Sequence, residues 1–258
     1  MQYDVVIVGS GNVAEELAVT VAAAPCLRLV QLFARNEERG RKVAELADTV
    51  WCGDSTRLAK ADLYLLAVSD RAVKEVAESL PIPPTAIVAH TAGSVTMEAL
   101  ESYPRRAVFY PFQGFTAGRR IDFRQVPLLL EAADEVTLGE LEQIARMLSE
   151  RVYRANAEQR GYVHLAGVFC CNFTNAMYGL AEQFAAQAGM PYDILRPLIR
   201  ETASKAIAAE HPAEVQTGPA RRGDLATQER HMQLIDDERL KKIYETVSQL
   251  IWETSKKI

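Results

Sequence analysis

Several protein classes are ruled out by what this 258-residue chain lacks. It has four cysteines, Cys26, Cys52, Cys170 and Cys171, with no C-x-x-C pair and no His/Cys cluster at zinc spacing. A disulfide scaffold and a structural zinc site are excluded, and reduced, buried thiols are expected. Positive charge is not in excess: 29 Lys and Arg stand against 34 Asp and Glu, a formal net charge of -5. A mildly acidic surface argues against nucleic acid or an anionic membrane as the main partner. No basic, apolar leader precedes the first apolar run, so a cytoplasmic location is expected. Internal repeats and low-complexity linkers are also missing. One charge-free run, Gly161–Ala181, has the length of a bilayer span, but it holds His164, Asn172, Thr174 and Asn175. Lipid penalises these side chains, so a helix buried in protein is expected there.

The composition is that of a soluble globular protein, with 48% hydrophobic and 24% charged residues, and the length exceeds one typical domain. In the first half, short apolar runs alternate with amphipathic stretches, which indicates a doubly wound parallel sheet with crossover helices. Strands are expected at Asp4–Val8, Arg28–Phe33, Thr49–Cys52, Leu63–Val68, Ala86–Ala89 and Ala107–Tyr110, and further ones at Val126–Glu131 and Val152–Ala155. Helices are expected after Gly11, Asn36 and Asp70, around Thr96–Leu100, and over Asp134–Ser149. After Asn156 the pattern is helical only. One long helix should span Glu158–Ala188, a second Ile194–Ala209, and two more Leu225–Ile235 and Asp237–Ser255. The expected division is an α/β domain over residues 1–155 and an all-α domain over 156–258.

The stretch Gly9-Ser10-Gly11-Asn12-Val13-Ala14 fits G-x-G-x-x-A, follows an apolar strand and opens a helix. Gly9 allows the tight turn, Gly11 lets backbone approach a pyrophosphate, and Ala14 lets the helix pack closely on the strand. The pyrophosphate would rest on the amides and positive dipole of the helix N-terminus. A dinucleotide is therefore expected. The second strand ends in Ala34-Arg35-Asn36, where an NAD binder or an S-adenosylmethionine enzyme would place an acidic residue. A guanidinium at Arg35 suits a 2′-phosphate, and Asn36 adds a donor, so NADP(H) is the expected cofactor.

In such sheets ligands bind beyond the carboxyl ends of the strands. Val68, Ser69, His90 and Thr91 are thus placed to meet the cofactor, and Ser94 and Gln113 to meet the substrate or a ribose. His90 is a candidate general acid. In the helical half, His164, Cys171 and Asn175 fall on one arc of a regular helix, with Asn172 at its edge. They would either face the nicotinamide or form a polar network inside a bundle. In QTGPARRGDLATQERH, Gln216–His231, Arg221 and Arg222 offer a grip on a carboxylate, Asp224 can cap the next helix, and Thr227 and His231 lie one turn apart.

Four segments carry a family resemblance: HTAGS (His90–Ser94), YPFQGF (Tyr110–Phe115), HLAGVFCCNFTN (His164–Asn175) and TGPARRGDLAT (Thr217–Thr227). Across nearly its whole length the chain resembles the Rossmann-like oxidoreductases that carry a helical C-terminal domain of unknown function, DUF2520. That group belongs with pyrroline-5-carboxylate reductases, β-hydroxyacid dehydrogenases, deazaflavin-dependent NADP oxidoreductases and the 6-phosphogluconate dehydrogenase C-terminal-like class. The resemblance implies an NADP-binding domain, an active site in the cleft between domains, and a homodimer formed through the helical domain. The chain departs from the β-hydroxyacid dehydrogenases, which carry a catalytic lysine on the first long helix of the second domain. Here no lysine occurs between Lys74 and Lys205. His164 or Asn172 is expected in its place.

The resulting expectation is an NADPH-dependent reductase of a small keto acid or imino acid, with ketopantoate as the first substrate. His90 or His164 would donate the proton, Asn172 and Asn175 would orient the substrate, and Arg222 with Asp224 would anchor it. No metal is expected. The alternatives are a pyrroline or deazaflavin oxidoreductase of the same fold, and a non-enzymatic module that binds NADP as a signal.

Overall fold

Two apolar runs form the centre of the molecule. β1 (Tyr3–Val8) reads YDVVIV, and β4 (Leu63–Leu66) reads LYLL with every residue buried. That composition suits strands covered on both faces. In the computed structural model, which describes residues 2–256, these strands lie side by side in an eight-stranded sheet. The others are β2 (Leu27–Phe33), β3 (Trp51–Cys52), β5 (Ile87–His90), β6 (Arg106–Pro111), β7 (Leu128–Ala132) and β8 (Val152–Arg154). Their order is β3-β2-β1-β4-β5-β6-β7-β8, and each lies where the sequence placed it, give or take its ends.

All neighbours pair in parallel except β6 and β7. Between those two the chain has no crossover helix, only a loop with a 3₁₀ turn at Phe123–Gln125. A strand that returns without a crossover pairs antiparallel. The sheet is therefore mixed at this side rather than wholly parallel.

Alternation along β1 builds both cores. Val5 and Ile7 pack with Leu17 and Val21 of α1 (Asn12–Ala23), Val43 of α2 (Glu37–Leu46), and Leu141 and Ile144 of α4 (Glu135–Leu148). Val6 and Val8 pack on the other face with Val73 and Val76 of α3 (Val73–Ser79), and with Leu100 and Tyr103. The sheet is thus doubly wound, and its winding reverses between β1 and β4. A crevice at the carboxyl ends is expected at such a reversal.

The helical part contains α5 (Ala157–Gly167), α6 (Thr174–Gln187), α7 (Arg196–Ala208), α8 (Pro219–Arg222), α9 (Leu225–Gln233) and α10 (Glu238–Ser255). A π-helical segment, Val168–Phe173, separates α5 from α6 where one regular helix was expected. α5 opens with a reciprocal capping box, Asn156 with Gln159. α8 is a short turn in a stretch that reads as loop.

The chain divides into two compact units, Met1–Asn175 and Ala176–Ile258, so the division falls beyond the residue-155 position suggested by the change of pattern. The reason is an anchor. Arg160 of α5 is 1% exposed, and its Nη1 lies 2.5 Å from Glu131 Oε2 of β7. This pair holds α5 to the sheet.

Two burial expectations are corrected. In the charge-free run, Tyr162 is 69% exposed, Leu165 51%, Phe169 60% and Phe173 50%, so that helix is not buried within one chain. Among the cysteines only Cys52 is buried; Cys26, Cys170 and Cys171 are exposed. Among the described residues, no helix is long and apolar enough to cross a membrane.

Candidate active site

The glycine loop is fixed from both sides. The Gly9 N–H donates to the Phe33 carbonyl of β2 at 2.8 Å, and Ala67 N–H donates to the Val8 carbonyl at 2.8 Å. Gly9 has φ +126°, and a Cβ there would fall 2.2 Å from the Ala67 carbonyl oxygen. Only glycine fits this turn. Gly11 caps α1 with no side-chain bond, and no atom comes within 4 Å of where its Cβ would stand. The first-turn amides of α1 are left for a ligand. From below, Arg39 braces the loop, donating from Nε to the Ser10 carbonyl at 3.0 Å and pairing with buried Glu15 at 2.6 Å. Asn12 Nδ2 donates to the Phe115 carbonyl at 3.1 Å.

A cavity of about 840 Å³ opens over this loop and the ends of β2, β4, β5 and β6. Gly9, Ser10, Gly11, Asn12 and Val13 line it, while Ala14 is fully buried behind them and serves packing. Arg35, Asn36, Val68, Ser69, Thr91, Gln113 and His164 line it as well. The Arg35 side chain is 73% exposed, with its Nη1 3.7 Å from Glu75 Oε1. Asn36 Oδ1 accepts the Arg39 N–H at 2.9 Å as the cap of α2, so its amide N–H groups stay available to a ligand.

His90 does not reach this space. It is 0% exposed, and its Nδ1 accepts the Ala92 N–H at 3.2 Å. That bond leaves the ring proton on Nε2, which has no partner. Burial, helped by the nearby Arg160 charge and opposed more weakly by the Thr96 backbone and Asp70, pushes its pKa down to about 4. The assignment of His90 as general acid, and as a cofactor contact, is therefore corrected. It is a neutral, buried histidine that shapes the turn after β5.

The reactive end of the cavity is built instead by Tyr110, at the end of β6, and His164. The Tyr110 hydroxyl lies 3.0 Å from His164 Nδ1, and both side chains line the cavity. Gly93 lies against the pair: a Cβ there would be 2.7 Å from Tyr110 Cζ and 2.8 Å from His164 Nδ1. Burial above all raises the Tyr110 pKa; the Asp70 charge adds to this and Arg160 opposes it. Sequence reasoning passed over Tyr110, although it heads the YPFQGF segment. It passed over Asp70 too, which lines the cavity and accepts a hydrogen bond from Ser94 Oγ. Ser94 itself is held by Asp70 and lies outside the lining. Gln113 lines the cavity with its Oε1 turned back to the Gly114 N–H at 2.9 Å.

Of the arc that joined His164 to Cys171 and Asn175, only His164 lines the cavity. A π turn acts as a one-residue insertion and rotates the following face by about 100°. Asn172 and Asn175 are exposed and outside the cavity lining, and Cys171 Sγ lies beside Gly114 instead. In the second unit, Arg222 is exposed on α8 and Asp224 caps α9, accepting the Thr227 N–H at 3.1 Å. His231 Nδ1 meets the Tyr244 hydroxyl at 2.8 Å.

The domain of unknown function DUF2520 matches residues 126–251. No curated protein matches the chain by sequence. Among solved structures, a protein of Bacteroides fragilis assigned as an NADP oxidoreductase is 37% identical, with a TM-score of 0.90 and 98% of each chain covered. A protein of Thermotoga maritima is 22% identical, with a TM-score of 0.75 and 98% of each chain covered. The pyrroline carboxylate reductase of Plasmodium falciparum, solved with NADP bound, is 11% identical, with a TM-score of 0.64 over 98% of this chain and 97% of that one. These last two share the fold alone. The Bacteroides protein is similar in sequence from end to end, and the chain belongs to its family, the Rossmann-type oxidoreductases that carry DUF2520.

Proposed function

We propose that the chain is an NADPH-dependent reductase of a small keto acid or imino acid. One observation carries this reading: a single cavity joins the glycine loop, the Arg35-Asn36 pair and the Tyr110–His164 pair. The glycine loop fits a dinucleotide, since Gly9 has no room for a side chain and Gly11 faces open space. The α1 amides would hold the pyrophosphate, and Arg35 with Asn36 the 2′-phosphate. Bound there, a reduced nicotinamide would supply hydride. The residues at the other end of the cavity, Tyr110 and His164, would bind the carbonyl or imine carbon acceptor and stand on the path of the proton, from which His90 is removed. The Plasmodium relative was solved with NADP and the Bacteroides relative is assigned to NADP chemistry, which supports this choice of nucleotide. Ketopantoate is the first keto acid to test.

Fluorescence titration with NADPH and NADH tests the reading. NADPH should bind the wild type more tightly. Arg35→Ala removes a charge-assisted contact worth about 1.5–3 kcal/mol, so NADPH affinity should fall roughly 10- to 100-fold while NADH affinity barely moves. Equal loss for both nucleotides would remove Arg35 from the 2′-phosphate site, and no binding of either would end the reductase reading.

The exposed face of α5 and the π turn supports a homodimer through the helical region. Tyr162, Leu165, Phe169 and Phe173 are spaced three or four apart, and Phe169 and Phe173 pack edge to face at 5.1 Å. Monomers seldom leave such a patch open to water. Light scattering should give twice the 28.6 kDa chain mass; the chain mass itself would overturn the dimer.

A further inference from the structure

Reduction of a carbonyl or imine needs a proton as well as a hydride, and the role assigned below rests on the reductase reading. Two ionisable side chains share the reactive end of the cavity in a definite order of depth. Tyr110 is half-buried, and His164 is exposed. Their hydrogen bond runs from the phenol oxygen to Nδ1 at 3.0 Å, and the bare backbone of Gly93 is what lets them meet beside the HTAGS turn. An imidazole open to water is placed to pass protons between solvent and a deeper group. A phenol set further in is better screened from water at the reacting atoms.

We propose that Tyr110 gives the proton to the substrate and that His164 resupplies Tyr110 from solvent. As hydride adds to the substrate carbon, the π electrons of C=O or C=N move onto the heteroatom. The Tyr110 O–H bond breaks and a heteroatom–H bond forms. The Nδ1 proton of the His164 imidazolium passes to the phenolate oxygen, and the neutral ring takes a proton from water. The substrate is reduced by two electrons, and the reduced nicotinamide that gave the hydride is oxidised by two. The charges around Tyr110 suit the role. Burial and Asp70, after β4, favour the protonated phenol, and Arg160 of α5 acts against them. The phenol therefore holds its proton until negative charge develops on the substrate.

The test has two arms. The first uses the protein without nucleotide. Nitrogen NMR of the His164 ring in wild type and Tyr110→Phe should show a shifted titration midpoint and a changed tautomer balance in the variant. Ultraviolet titration should show the Tyr110 phenol ionising at a different pH in His164→Ala. Unchanged titrations in both variants would overturn the proposal. The second arm follows NADPH oxidation with ketopantoate and with a cyclic imino acid. Tyr110→Phe should lower kcat by about 100-fold or more, with no recovery on adding imidazole. His164→Ala should lose less, and free imidazole should restore part of the loss. The reverse pattern, a mild Tyr110→Phe and a severe His164→Ala that imidazole does not rescue, would make His164 the donor and sink this assignment. If neither probe is turned over, the titrations of the first arm decide. If NADPH fails to bind, the reductase reading falls, and those same titrations still report whether the two groups act as a pair.

Discussion

Arg160→Ala is expected to destabilise the first unit by about 3–5 kcal/mol, because it strips a buried ion pair of one partner. The guanidinium is 1% exposed, and Glu131 is left only partly open to water. The lost contacts go beyond charge. Arg160 Nη2 donates to the Val95 carbonyl at 2.9 Å, and Nη1 also reaches the Ala155 carbonyl at 3.5 Å. One side chain thus ties α5 to β7 and to the segment just after HTAGS. Thermal unfolding should shift down by roughly 10 °C or more for a chain of this size. The double variant Arg160→Met/Glu131→Leu should recover much of that loss, since an apolar pair of similar volume avoids the uncompensated charge. An unchanged unfolding temperature in Arg160→Ala would show that the pair contributes nothing to the fold. Activity should suffer even where the fold survives, because His164 is carried on the same helix as Arg160, one turn further on.

This anchor also explains why the two compact units divide later in the chain than the change of pattern does. The pattern changes from mixed to purely helical near residue 155, and that change is real. What it does not reveal is that the first helix of the new pattern is bonded back to the sheet. The partner of Arg160 stands 29 residues earlier in the chain, and nothing in either residue's neighbours announces the pairing. By contrast the glycine loop was legible because three local requirements coincide at one place: an apolar strand, a turn needing positive φ at Gly9, and an uncapped helix start at Gly11. Arg35 was legible for a similar reason, since its position follows from the end of β2.

The reactive end was harder to read. β5 is buried on both faces, so alternation cannot tell whether His90 points to the cavity or into the core. Tyr110 looks like any aromatic residue at the end of an apolar strand, and most such residues are core. The π turn leaves no mark in an apolar run, because the extra residue changes the phase of the helix without changing its composition. Of the polar side chains that share an arc on paper, only His164 lines the cavity, and it finds its partner on a strand.

His90, removed from the chemistry, should make itself felt in stability. Its pKa in the folded chain is about 4, against 6.5 as the ordinary value. As pH falls, the unfolded chain takes up this proton first. Stability from this residue is therefore complete above pH 6.5 and is lost progressively down to pH 4. Over the whole window the loss is on the order of 3 kcal/mol, and between pH 7 and pH 5 about 2 kcal/mol. Chemical denaturation at those two pH values should show a steeper decline for wild type than for His90→Gln, which cannot titrate. Equal slopes would mean that His90 is protonated as easily inside as outside. Because the Arg160 charge helps hold His90 neutral, Arg160→Met/Glu131→Leu should also flatten the decline, linking the acid sensitivity of the HTAGS turn to the pair that anchors α5.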